Sequence, residues 1–209
     1  MSDSPSRGQL VLATRNLKKL VEMRRILEPL LSVEVLGLDD VPAYEEVPET
    51  GATFADNALL KAREAARYTG RTSVADDSGL AVDALTGMPG VLSARWAGRP
   101  KDDTRNLELV LEQVADVPDE RLGAHFSCAI AVVTPDGREH VTEGRMPGRL
   151  IRVPRGGNGF GYDPIFVPDG GNLTSAELDS AAKDAISHRG RALQALLPAL
   201  IDMLTHPPS

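Results

Sequence analysis

The chain has 209 residues, the size of a single domain against a prior of about 150 residues per domain. Its 42% hydrophobic and 25% charged residues give an ordinary globular composition, enough to bury a sizeable core. The net charge of −7 argues against a nucleic-acid partner, because such proteins need a basic face to displace counterions. No apolar run approaches the ~18 residues of a membrane span, so no membrane partner is expected. A single cysteine, Cys128, lies in the apolar run 126–133 and reads as a buried core thiol; the absence of a disulfide framework fits a reducing cytoplasm.

In chain order, residues 1–8 lack an apolar signal core and are expected to be a disordered lead-in. Leu10-Val11-Leu12-Ala13 reads as a short buried strand, followed by a helix on the stripe Leu20, Met23, Leu27, Leu30 and Leu31. A second strand, Val33 to Leu36, precedes an acidic loop from Asp39 to Thr50. The stripe Ala55, Ala58, Leu59, Ala62, Ala65, Ala66 marks a helix from Thr53 to Tyr68, with Gly70 at its C-cap. Strands at 72–75 and 80–85 flank Asp76-Asp77-Ser78-Gly79, which is expected to be a strand-to-turn junction. Another helix carries Leu107, Val110, Leu111 and Val114. Strands at 126–134 and 139–143 form a hairpin around Pro135-Asp136-Gly137, whose Asp-Gly is a strong turn signal. A glycine-rich segment, 156–161, leads to a strand at 164–167, and helices run to Leu204 before a frayed tail at 206–209. Interleaved strands and helices indicate an α/β domain, and the hairpin makes its sheet mixed.

Five clusters carry candidate chemistry. Asp76 and Asp77 place two like charges at the end of an apolar strand, which calls for a cationic partner; Mg²⁺ takes one or two carboxylates and leaves its other positions to water and phosphate oxygens. Thr14, Asn16 and Lys19 stand where the first strand gives way to a helix, whose N-terminal N–H groups and dipole suit an anion; the alternative is a capped helix with a solvated lysine. Asn57 and Lys61, four residues apart, share a helical face behind Glu49-Thr50-Gly51, and Glu49 is a candidate second metal ligand. In Gly156-Gly157-Asn158-Gly159-Phe160-Gly161-Tyr162-Asp163-Pro164 the backbone can approach a ligand closely and Phe160 can stack on a flat base, or pack in the core. Lys183 with Ser187-His188-Arg189-Gly190 opens the last helix, where basic residues are usually solvated. None of the histidines has zinc-ligand spacing.

Taken in order, Ala13-Thr14-Arg15-Asn16-Leu17-Lys18-Lys19, Glu49-Thr50-Gly51, Phe54 with Asn57 and Lys61, Ala75-Asp76-Asp77-Ser78-Gly79-Leu80, Pro89-Gly90-Val91 with Ser93-Ala94-Arg95, Phe160-Gly161-Tyr162-Asp163-Pro164 and Ser187-His188-Arg189-Gly190 resemble the inosine triphosphate pyrophosphatase family over nearly everything from Leu10 to Leu204. Arg15 and Lys18 depart from it, standing where the family often has glycine or another small residue. The resemblance implies one domain over residues 1–209 with an elongated mixed β-sheet, flanking helices and two lobes around a nucleotide cleft, usually as a homodimer. It implies Mg²⁺-dependent hydrolysis of non-canonical purine triphosphates (ITP, dITP, XTP) to monophosphate and pyrophosphate. On that resemblance Thr14, Arg15, Asn16, Leu17, Lys18 and Lys19 would hold the triphosphate, and Glu49 and Asp77 the metal, with Asp77 also the general base. Ser78, Phe160, Gly161, Tyr162, Asp163, Lys183, His188 and Arg189 would bind nucleotide. Two other readings stand beside it: a pyrophosphatase of the Maf type, against which Phe160-Gly161-Tyr162-Asp163 and Ser187-His188-Arg189 argue, and a nucleotide-binding module without catalysis.

Overall fold

The computed structural model describes residues 8–45 and 47–206. The expected lead-in at 1–7 and the tail at 207–209 lie outside the described residues, whereas Gly8 opens the first strand and the His206 N–H donates to the Asp202 carbonyl at 3.0 Å.

Six strands, β1 (Gly8–Leu12), β2 (Val33–Leu36), β3 (Ser73–Val82), β4 (Gly123–Val133), β5 (Glu139–Leu150) and β6 (Phe166–Pro168), form one sheet in the order β2-β1-β3-β4-β5-β6. Pairing is parallel between β1 and β2 and between β1 and β3, with Leu10 opposite Val35 and Leu12 opposite Val74, and antiparallel between β5 and β6. The sheet is therefore mixed, as the hairpin signal implied. Its turn is closed by Gly137 N–H donating to the Thr134 carbonyl, with Gly137 at φ 88°, a conformation glycine adopts without Cβ strain. The helices are α1 (Leu17–Leu27), α2 (Phe54–Thr69), α3 (Asp103–Gln113), α4 (Ser180–Ile186) and α5 (His188–Thr205).

Contacts divide the chain into two compact units, one of residues 1–76, 129–142 and 193–209, the other of 77–128 and 143–192. The division falls inside β3, between Asp76 and Asp77. In the first unit, α2 lays Ala58, Ala62, Ala65 and Ala66 against Val11, Ala13, Ala75, Ala129, Ala131 and Val133. Small side chains on both partners let helix and sheet approach closely. Helix α2 is well specified by its ends: Thr53 Oγ1 accepts from Asp56 N–H at 3.1 Å while the Asp56 carboxylate accepts from Thr53 N–H, and Gly70 closes it in the left-handed conformation. In the second unit, Leu80, Val82, Leu107, Val110, Phe126, Met146, Leu150, Ile165 and Phe166 form the core, with Phe126 and Phe166 edge to face at 4.7 Å. Fully burying one such aromatic side chain stabilises the fold by about 1.5–3 kcal/mol.

Three expectations change. Helix α1 stops at Leu27, so Leu30 and Leu31 lie beyond it and Leu30 is exposed. The segments expected as two strands around Asp76-Asp77-Ser78-Gly79 are one strand, β3, buried at every position except Ser78. The 164–167 strand is a short 3-10 turn, Asp163–Ile165, that leads into β6.

Candidate active site

At the start of α1 the side chain of Asn16 accepts from the backbone N–H groups of Lys18 and Lys19, at 3.0 and 3.3 Å, and Thr14 Oγ1 accepts from Asn16 N–H at 3.2 Å. Capping thus satisfies two of the donors that a bare helix end would present to an anion, and the cationic capacity of this turn resides in its side chains. Arg15, Leu17 and Lys18 are exposed, Arg15 lying 3.7 Å from Asp39. Lys19 turns inward. Its Nζ lies 3.0 Å from Asp76 Oδ2, with 14% of the lysine side chain and none of the aspartate side chain exposed. The capped-helix alternative holds in part: Asn16 caps the helix, but Lys19 is ion-paired instead of solvated.

The i, i+4 pair on α2 faces the loop before it, as the spacing predicts. Asn57, buried, accepts the Gly51 N–H at 2.8 Å, and Lys61 Nζ donates to Glu49 Oε1 at 2.9 Å. Gly51 has no room for a Cβ, which would lie 2.7 Å from Asn57 Oδ1. Asn57 therefore sets the shape of the 49–51 loop and Lys61 fixes the Glu49 carboxylate.

In the second unit Asp77 is buried and Ser78 partly so, and Arg189 Nη2 donates to Ser78 Oγ at 3.0 Å. The basic residues expected to be solvated are instead enclosed: Lys183 is 9%, His188 6% and Arg189 1% exposed. Asp163 ties Lys183 to the Phe160 turn. Its Oδ2 accepts from Lys183 Nζ at 2.6 Å and from Phe160 N–H at 2.8 Å. The Phe160 ring, only partly buried, has the Lys183 ammonium 5.4 Å and the Arg189 guanidinium 5.9 Å from its centroid. His188 stacks on Phe126, centroids 5.0 Å apart and planes 13° from parallel. The glycine-rich segment is tied down: Asn158 N–H donates to the Ala176 carbonyl and Gly161 N–H to Asp103 Oδ2, both at 3.0 Å. Gly159, at φ 75°, has Asp163 and Lys183 where a Cβ would stand. Tyr162 is buried and its hydroxyl donates to the Ser93 carbonyl at 2.8 Å; burial, and then the charge of Asp103, push its pKa up, so it remains a neutral donor.

Sequence reading named Asp163 as a nucleotide contact and not as a support of this cluster, and it missed Phe126. A signal for Asp163 existed, because an aspartate three residues after Phe160 is spaced to accept its N–H. None existed for Phe126, which is 62 residues from His188 by number. Among the described residues no group of three or more His, Cys, Asp or Glu could by itself hold a metal ion. The carboxylates of Glu49 and of Asp77 are each the hard oxygen type that suits Mg²⁺.

Fold and clusters define a class: a mixed α/β protein with two lysines ion-paired to carboxylates in one unit and a buried, aromatic-flanked cationic cluster in the other. The Ham1 family matches residues 10–199, and the chain belongs to that family. The dITP/XTP pyrophosphatase of Mycobacteroides abscessus is 61% identical over 198 residues, 94% of this chain and 96% of that protein. The dITP/XTP pyrophosphatase of Streptomyces coelicolor is 53% identical over 197 residues, 94% of this chain and 98% of that one. Among solved structures, a HAM1 protein from Coxiella burnetii is 41% identical with a TM-score of 0.83, covering 93% of this chain and 99% of that one. The nucleoside-triphosphatase, or dITP/XTP pyrophosphatase, of Mycobacterium abscessus is 63% identical with a TM-score of 0.75, covering 91% and 99%.

Proposed function

We propose that this protein hydrolyses the non-canonical purine nucleoside triphosphates ITP, dITP and XTP to the monophosphate and pyrophosphate, in the cytoplasm, as a homodimer. The observation that carries the reading is that relatives named for this activity are 53% to 61% identical over nearly the whole chain, so both residue clusters lie within the compared length.

Residues 14–19 and Lys61 address the phosphates, whose negative charges the lysines and arginine offset. Glu49 and Asp77 would hold Mg²⁺, which when bound would offset phosphate charge and lower the pKa of a bound water. Asp77 takes the proton of the attacking water as its oxygen bonds to the α-phosphorus, and the bridging oxygen departs with pyrophosphate. Phe160 covers the base, and Lys183, His188 and Arg189 present donors to it. Hypoxanthine and xanthine carry a 6-oxo acceptor that these donors can meet, whereas adenine sets an amino donor against them. Such a mismatch of buried groups can cost about four orders of magnitude in specificity.

The test is product analysis with ITP. Expected are equimolar IMP and pyrophosphate, abolished by chelating Mg²⁺ and restored by adding it back. Release of orthophosphate, or ITP binding without turnover, would overturn the reading. Light scattering in solution is expected to give twice the chain mass, and a monomer mass would remove the dimer from it.

A further inference from the structure

We infer that Asp76 is a positioning residue, which fixes the Lys19 ammonium where the phosphates are bound. Lys19 is the third residue of α1, at the positive end of the helix dipole, where a second positive charge is disfavoured. Its four-carbon stem is flexible, so an isolated ammonium here would swing into solvent. Asp76 removes that freedom. Leu12 is in register with Val74, and Ala13 N–H donates to the Val74 carbonyl at 2.8 Å. Two residues further on, Asp76 shares the face of Val74 and comes level with the β1–α1 turn. Its carboxylate is wholly buried on a strand inside the sheet, with strands on both sides in the sheet order, so its own position is rigid. It holds the lysine at 3.0 Å while 14% of the lysine side chain stays exposed, and that is the portion an incoming anion can reach. A buried carboxylate is a costly holder unless its charge is met, and here the lysine meets it. The sequence run Asp76-Asp77 then has two functions on opposite faces of one strand: Asp76 towards Lys19, Asp77 towards the chemistry assigned above.

The inference rests on the phosphate role proposed for residues 14–19, and it is tested separately from turnover. Binding of inorganic triphosphate is measured by calorimetry for the wild type, Asp76→Asn, Lys19→Gln and the double variant, with folding checked by circular dichroism. Each single change is expected to weaken triphosphate at least tenfold, and the double variant to bind no more weakly than Lys19→Gln alone. Asp76→Glu, which retains the charge, is expected to recover part of the loss and to raise KM for ITP more than it lowers kcat. Should Asp76→Asn fold poorly, the comparison of the uncharged double variant with Lys19→Gln, together with Asp76→Glu, still decides. Losses that multiply in the double variant overturn the inference. So does an Asp76→Asn protein that binds triphosphate normally but turns over slowly. A wild type that binds triphosphate with the expected coupling yet releases no pyrophosphate from ITP would keep the inference and overturn the proposed function.

Discussion

The two units use the same kinds of charged residue in different ways. In the first, the pairs Lys19–Asp76 and Lys61–Glu49 are short but partly open, with 14% and 17% of the lysine side chains exposed, and each lysine is held by one carboxylate. In the second, His188 and Arg189 are nearly sealed, Lys183 has 11% of its side chain exposed, and all three pack beside aromatic rings. Partly open ammonium groups, each held by one carboxylate, suit a ligand end that carries several charges and brings its own water and metal. A rigid cluster of donors flanked by rings suits a flat, neutral group read by its edge. Enclosure is therefore the better guide to what each cluster addresses, since charge alone does not distinguish them.

The largest break should come from Asp77→Asn, expected to lower pyrophosphate release by about 10²–10⁴-fold, the range for a general base, with an unchanged thermal midpoint. Retained activity would remove Asp77 from the role of base. Next is Gly144→Ala. Its Cβ would run into the His188 carbonyl and the Ala192 nitrogen, both backbone atoms that cannot step aside. Overpacking of this sort costs about 1–3 kcal/mol, so a lower unfolding midpoint in urea is expected together with a raised KM for ITP, because the start of α5 carries His188 and Arg189, proposed above to face the base. Phe126→Leu, which keeps the core filled but loses the stack on His188, is expected to raise KM several-fold with little change in kcat, given about 0.5–1.5 kcal/mol for such a ring pair.

The smallest effect is a pH dependence in the second unit. Burial, and then the positive charge of Arg145, lower the pKa of His125, with Asp83 opposing them; Arg145 Nη2 lies 2.7 Å from His125 Nδ1. The unfolded chain takes up this proton near the ordinary histidine pKa, about 6.5, and the folded protein only at lower pH. Stability is therefore full above that value and is lost as pH falls from it towards the depressed folded pKa. His125→Gln should flatten the fall in urea midpoint between pH 7.5 and 5.5, and an unchanged slope would show that other groups cause it.

Much of this fold could be read from local pattern. Helix α2 was legible to its ends, because its alanine stripe, its Thr53 start and its Gly70 stop each act within a few residues. So was the hairpin, from Asp136-Gly137. What could not be read depends on partners distant in sequence. Asp76-Asp77-Ser78-Gly79 has the composition of a turn, yet it is strand, because Lys19 neutralises Asp76, Arg189 reaches Ser78 across 111 residues, and Gly79 has Ser93 and Gly90 pressed where a side chain would be. The site was legible as a set of motifs in order, with the i, i+4 spacing of Asn57 and Lys61 correctly facing the 49–51 loop. The burial of Lys183, His188 and Arg189 was not, since a basic residue near a helix start is ordinarily solvated, and partners distant in sequence, among them Asp163, Ser78 and two aromatic rings, meet these groups in the fold.

The central claim is that the enclosed cluster selects the base while the open one takes the phosphates. It is tested most directly by initial rates of pyrophosphate release from ITP, dITP, XTP, ATP and GTP under one Mg²⁺ concentration. The account predicts that ITP, dITP and XTP are cleaved far faster than ATP, whereas guanine, which also carries a 6-oxo acceptor, is not set apart by these donors. Equal rates on all five would contradict it.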